Sequence, residues 1–359
     1  MTAAAIIPHA STQAAPTMFS LAKLRAEEGL WSAQTEIPAC GPDDVLIRIS
    51  RTAICGTDIH IYNWDDWAAR TIPVPMVVGH EFSGQIVEIG RNVERPLHVG
   101  QRVSGEGHII DLNSAAARSG RFHLDPATKG VGVNRPGAFA EILAIPAFNV
   151  VPLPEYVSDD FGALLDPLGN AVHTAQQFDL LGEDVLIIGA GPIGIMAAAV
   201  ARRAGAGSVF ITDVNPYRLD LATKLADVRP VNVLHEDLAE VLARAGLPDG
   251  VAVALEMSGT HAGMAQAIES LRMGGNLALL GIPSQPMSVN WADIIMKAIT
   301  LKGVYGREMF GTWDKMLGLL RAGLDLSPLI THRFRATDFQ QGFDAARSGE
   351  AGKVLLDWS

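Results

Sequence analysis

The chain has 359 residues, 48% hydrophobic and 19% charged, a globular composition long enough for two domains. Its 28 basic and 39 acidic residues give a formal net charge of −11, which argues against nucleic acid as a partner, because phosphate binding needs a basic surface. No apolar run approaches the roughly 18 residues of a membrane span, so no membrane partner is expected. The first 17 residues, MTAAAIIPHASTQAAPT, lack the basic start of a secretory signal and the Arg of a transit peptide, and read as a flexible extension. Cys40 and Cys55 are the only cysteines, which suits a reducing cytoplasm better than a disulfide framework.

Residues 18–50 carry short β-like runs, among them Val45–Ser50 behind the turn Gly41-Pro-Asp-Asp. Gly84–Ile89, Gly100–Ser104 and Ala138–Ile145 also read as strands. Short strands broken by Gly and Pro predict an irregular β-barrel. The pattern changes after about residue 155. Phe161–Phe178 reads as helical, with Pro167 inside it. A strand from Asp184, a helix over Ile195–Ala204, a strand over Ser208–Asp213 and a helix over Pro216–Ala226 then alternate. Val251–Glu256, Asn276–Gly281 and Thr300–Val304 extend the strand series, which predicts a doubly wound parallel sheet. The tail holds helices at Trp313–Ala322 and Phe339–Ser348, and a strand, Lys353–Asp357, that can return to the first domain. The expected division is an extension at 1–17, a catalytic domain from 18–165 with 307–359, and a nucleotide-binding domain at 166–306.

The stretch Ala53–Glu81 carries the chemistry. Cys55 is followed by Thr57 and His60, and His80-Glu81 closes the stretch. A thiolate, an imidazole and a carboxylate are a usual zinc ligand set, so Cys55, His80 and Glu81 are the candidate ligands. Catalytic zinc keeps an open position, where an alcohol loses much of its proton affinity. The released proton needs a path, and Thr57 and His60 supply a hydroxyl and an imidazole for it. Asp166 sits in the apolar frame Leu164-Leu-Asp-Pro-Leu-Gly and needs a partner there. A fourth zinc ligand, a base beside the metal, and an N-cap or salt bridge are all open readings of it. Glu106 and His108 are further candidates to line the cleft.

An apolar strand leads into Gly189-Ala-Gly-Pro-Ile-Gly, and a helix leads out. Gly189 and Gly191 let the backbone approach a pyrophosphate, and Gly194 allows close helix packing. Asp213 follows Gly194 by 19 residues, where a carboxylate accepts from ribose hydroxyls and repels a 2′-phosphate. NAD is therefore expected over NADP, although Arg218 lies close enough to pair with a phosphate.

Cys55-Gly-Thr-Asp-x-His, Gly79-His-Glu, Asp166-Pro and the glycine motif together resemble the zinc-dependent medium-chain dehydrogenases. Val103-Ser-Gly-Glu-Gly-His, Gly130-Val-Gly-Val-Asn-Arg-Pro-Gly, Gly169-Asn-Ala-Val-His-Thr-Ala and Tyr305-Gly-Arg-Glu-Met-Phe extend the resemblance from about Met18 to the C-terminus. The resemblance implies a GroES-like catalytic domain, a Rossmann domain and a homotetramer. It implies oxidation of L-threonine to 2-amino-3-oxobutanoate with NAD, with other secondary alcohols such as polyols or butanediol as the alternative. A non-catalytic NAD-binding protein on the same fold is the reading of a different class. The resemblance also places Ile193, Leu280, Gly281, Ile282, Val304 and Tyr305, with Asp213 and Arg218, at the NAD contacts. Trp64 and Trp67 favour an amino-acid substrate through the same likeness, and Arg307 is the candidate for its carboxylate. One departure stands out. Where the family commonly holds a structural zinc on C-x2-C-x2-C-x7-C, this chain has Asp111, Ser114, Ala117 and Asp125. Even with His123 these make a poor tetrahedral site, so one catalytic zinc and no structural zinc are expected.

Overall fold

The computed structural model describes residues 15–359. Of the N-terminal extension, residues 1–14 lie outside the described part, and Thr17 already pairs with Glu36. The two kinds of sheet expected are both present. Seven strands form a largely antiparallel sheet around the long central strand Asp44–Ala53. That strand pairs with Glu81–Ile89, with Ile142–Pro146 and with the tail strand Lys353–Asp357. Its inward residues Val45, Ile47 and Ile49 pack with Phe82, Ile86 and Leu143 in one apolar cluster. The chain's end is thus built into its first half. A smaller sheet joins Thr17–Lys23 to Trp31–Glu36 and Met76–Val77.

Six strands form a wholly parallel sheet. In spatial order they are Arg229–Asn232, Ser208–Asp213, Asp184–Ile188, Val251–Glu256, Leu271–Leu279 and Thr300–Gly303. Strands such as Val251–Glu256 are buried at every residue, because helices cover both faces. The order reverses between Asp184–Ile188 and Val251–Glu256, and ligands of such sheets bind beyond the carboxyl ends of the strands at that point.

Two expectations need adjusting, and one stretch gains its structure. The helical stretch from Phe161 is two helices, Asp159–Ala163 and Leu165–Ala175, joined at Leu164. The expected strand at Ala138–Ile145 begins only at Ile142; Ala138 and Phe139 instead bond to the carbonyls of Gly79 and Val78. Between Cys55 and His80 the chain forms helices Gly56–Asn63 and Asp66–Thr71, so Thr57 is helical. Among the described residues no helix is long and apolar enough to cross a membrane.

Candidate active site and metal centre

Cys55 lies two residues beyond the central strand and caps the helix Gly56–Asn63. Asp58, the third residue of that helix, returns its Oδ2 to the Cys55 N–H at 2.9 Å, a capping-box contact that fixes where the helix starts. His80 and Glu81 arrive from the other side. Gly79, with φ +88, makes the turn before them. A Cβ there would fall 2.2 Å from the Phe139 ring, so only glycine fits both the backbone and the space.

The ligand atoms of Cys55, His80 and Glu81 all lie within 4.8 Å of one another. Three buried polar atoms at this point lack a hydrogen-bond partner among the described residues: Asp58 Oδ1, His80 Nδ1 and Glu81 Oε1. Asp58 Oδ1 and His80 Nδ1 face each other at 3.7 Å. A carboxylate behind an imidazole orients the ring, so its other nitrogen can bind a metal. Glu81 is anchored through Oε2, which takes the Lys353 ammonium at 2.5 Å, and Oε1 is left over. Lys353 also donates to the Ile54 carbonyl at 2.9 Å, so one tail residue ties together the segments that carry Cys55 and Glu81. Burial works against the charge on Lys353, but the Glu81 carboxylate holds its pKa above the ordinary lysine value. Burial raises the Asp58 carboxyl despite the nearby His80. Converging sulfur, nitrogen and oxygen donors, the imidazole and the carboxylate each oriented from behind, fit a zinc ion with an open position.

Thr57 Oγ1 lies 4.0 Å from Cys55 Sγ. His60, one helical turn on, is 59% exposed and contacts Asp65 Oδ2 through Nδ1 at 2.5 Å. Burial opposes ionisation of Asp65, but the Ala68 N–H and His60 hold its carboxyl below the usual range. Trp67 packs edge-on against the His60 ring, with centroids 6.1 Å apart.

Asp166 is buried on the helix Leu165–Ala175 and forms an ion pair with Arg307. It does not belong to the three-residue group whose ligand atoms converge. Arg307 corrects one expectation. Its guanidinium is 1% exposed and is taken up by Glu106 and Asp166, so it has no face to offer a substrate carboxylate. Glu106, at 0% exposure, also accepts from His108 and from Trp313 Nε1. Burial alone would raise its pKa, yet the Arg307 charge and the His108 contact pull it down to about 2.

The glycine motif sits at the sheet's reversal point. Gly189 (φ +98) turns off the strand, and a Cβ on it would meet Ser258 at 3.0 Å. Gly191 caps the helix Pro192–Arg203, with Pro192 at its first position and no atom where a Cβ would lie. A Cβ on Gly194 would fall 2.0 Å from the Gly189 carbonyl, so the third glycine brings helix and strand together. The helix N-terminus and the open space beside Gly191 fit a pyrophosphate. Ile193 lies in the first turn of that helix. Asp213 ends its strand, and its carboxylate holds the Ala190 and Asn215 N–H groups, each at 2.8 Å. Arg218 has a buried Nε without a partner among the described residues. Leu280–Ile282 follow the strand Leu271–Leu279, with Ile282 89% exposed. Val304 and Tyr305 follow the last parallel strand.

Sequence reasoning passed over Asp58 and Lys353. Asp58 lay inside the quoted Cys55-Gly-Thr-Asp-x-His pattern. Lys353 opens an apolar strand, and a charge in that position calls for a buried partner.

An alcohol dehydrogenase GroES-like domain matches residues 41–155, and a zinc-binding dehydrogenase domain matches residues 192–322. The chain belongs to the zinc-binding dehydrogenases. It is 61% identical over 343 residues to L-threonine 3-dehydrogenase of Ruegeria pomeroyi, covering 95% of this chain and 100% of that one. It is 57% identical over 341 residues to L-threonine 3-dehydrogenase of Escherichia coli strain K12, with 95% and 100% covered. Among solved structures, 2R,3R-butanediol dehydrogenase from Bacillus subtilis superposes with a TM-score of 0.86 at 27% identity, over 95% of this chain and 100% of that one.

Proposed function

We propose that this chain oxidises the 3-hydroxyl of L-threonine to 2-amino-3-oxobutanoate, with NAD as the hydride acceptor. The observation that carries the dehydrogenase chemistry is the convergence of Cys55, His80 and Glu81, with three buried polar atoms left unpartnered around it. The choice of L-threonine is supported by the two relatives above, each matched along its whole length. Cys55, His80 and Glu81 would hold one zinc, whose positive charge acidifies a bound alcohol.

The chain's own residues do the rest. Asp58 keeps the His80 ring oriented, and Lys353 keeps one oxygen of Glu81 occupied. The Thr57 hydroxyl, beside Cys55, takes the alcohol proton and passes it toward His60. His60 is exposed, so it can release the proton to water, and Asp65 stabilises the imidazolium in between. Asp166, buried and paired with Arg307, adds negative charge near the same point. A dinucleotide would lie over Gly189, Gly191, Ile193 and Gly194. Its ribose would meet Asp213 and Arg218, and its other end Leu280–Ile282 and Val304–Tyr305. Asp213 disfavours a 2′-phosphate, which supports NAD.

The same reading takes 18–165 with 307–359 as the catalytic domain and 166–306 as the nucleotide domain. It includes a cytoplasmic homotetramer. Association is supported by the edge strand Thr300–Gly303, exposed at all four residues and unpaired on one side among the described residues. Trp291, Ile295 and Met296 are exposed at 69, 71 and 73%. An open edge beside apolar side chains is a template for a second chain.

The test is NADH formation with L-threonine, L-serine, 2,3-butanediol and sorbitol. L-Threonine should give the highest kcat/KM. Turnover of sorbitol or butanediol alone would defeat the substrate assignment, and no turnover of any alcohol by zinc-loaded protein would favour a binding protein.

A further inference from the structure

Arg307 and Glu106 are not among the proposed metal ligands or dinucleotide contacts, yet they join three segments that surround the site. Glu106 follows the strand Arg102–Gly105, Asp166 lies on the helix Leu165–Ala175, and Arg307 follows the last parallel strand. Arg307 forks onto Glu106, with Nε to Oε2 at 2.8 Å and Nη2 to Oε1 at 2.5 Å. Its remaining nitrogen, Nη1, pairs with Asp166 Oδ2. Gly169 makes room for this. A Cβ there would fall 2.6 Å from Arg307 Cδ, so any larger residue on the helix would push the arginine aside.

The consequence appears at His108. Glu106 Oε1 lies 3.0 Å from the His108 N–H and 2.8 Å from His108 Nδ1. With Arg307 holding Glu106 as a carboxylate, Glu106 can only accept, so His108 Nδ1 must carry the proton. Nε2 has no hydrogen bond among the described residues, and the side chain is 26% exposed, with its ring 6.3 Å from that of Tyr305. Asp166 is treated alike: Oδ2 is tied to Arg307, and Oδ1 has no hydrogen bond among the described residues.

We infer that Arg307 and Glu106 are positioning residues: one buried guanidinium fixes His108 with Nδ1 protonated and Nε2 open, and fixes Asp166 with Oδ1 open. The arginine therefore acts through His108 and Asp166. A fork of five donors suits this task, and a lysine ammonium, a single point of charge, does not. The kinetic part of the test rests on the dehydrogenase reading above; the spectroscopic part does not.

The experiment is a 1H–15N correlation spectrum of the zinc-loaded protein labelled at histidine, on the wild type and on Glu106→Gln, with His108 assigned by His108→Asn. The wild type should show His108 protonated at Nδ1 and bare at Nε2. Glu106→Gln should shift that tautomer balance and lower kcat/KM about 10- to 100-fold with zinc content unchanged. If Glu106→Gln fails to fold, Arg307→Lys carries the same readouts. A wild-type His108 protonated at Nε2 alone overturns the inference. So does a variant with wild-type kcat/KM, or one whose lost activity follows lost zinc. If L-threonine is not the substrate, the spectrum still stands, and the rates are read on whichever secondary alcohol the protein oxidises.

Discussion

Two loop regions of the catalytic half treat their carboxylates in opposite ways. At the corner of Cys55, His80 and Glu81, buried oxygens and a ring nitrogen are left without partners. In the lobe at residues 111–125, the carboxylates bond to backbone N–H groups. Asp125, 4% exposed, takes the Asp111 N–H on Oδ2 at 2.7 Å and the Ala127 N–H on Oδ1 at 3.2 Å. Asp111 takes the Asn113 N–H, Ser114 caps the short helix Ala115–Arg118, and Ala117 is buried. A buried polar group must find a partner. At the corner three metal-type ligand groups converge; in the lobe the buried carboxylate closes the loop on backbone bonds, and His123, whose Nδ1 also lacks a partner, belongs to no such group among the described residues.

Lys353→Met tests the first half of this contrast most severely. It strips the counter-charge from Glu81 and a donor from the Ile54 carbonyl, both buried. Removing one partner of a buried ion pair costs about 3–5 kcal/mol, to be read by urea unfolding of zinc-loaded protein. An unchanged midpoint would mean that Glu81 is held by something other than the tail strand.

His60→Ala comes next and probes the corner's exit to water. Loss of a general acid–base group predicts a fall in kcat of about 10²-fold at neutral pH, with zinc retained. Wild-type kcat would show that the proton leaves by another route.

Asp125→Ala has the smallest expected effect and addresses the lobe. Losing two backbone hydrogen bonds should cost about 2 kcal/mol, read as faster hydrogen exchange at the Asp111 and Ala127 amides. Activity and zinc content should hardly change. Loss of zinc in this variant would show that the lobe does bind metal and that the contrast is false.

Much of this was legible in the chain because it is local. Cys55, Thr57 and His60 lie within one helix start, and Gly189 to Asp213 spans one strand, one helix and the next strand. Alternation and apolar runs exposed the two kinds of sheet for the same reason. The polar partners were illegible because they are distant: Glu81 and Lys353 are 272 residues apart, and Glu106 and Arg307 are 201 apart. Arg307 shows the hazard. Family likeness made it the candidate for a substrate carboxylate, with an ion pair as the plainer alternative, and two buried acids from elsewhere in the chain hold it in ion pairs. Pairwise electrostatics across a fold leaves no periodic trace.

Zinc content, measured on wild type and Cys55→Ser after dialysis, tests the central claim most directly. The account predicts one zinc per chain in the wild type and none in Cys55→Ser, with NAD binding retained and turnover lost. Two zinc ions in the wild type, or one that survives in Cys55→Ser, would contradict it.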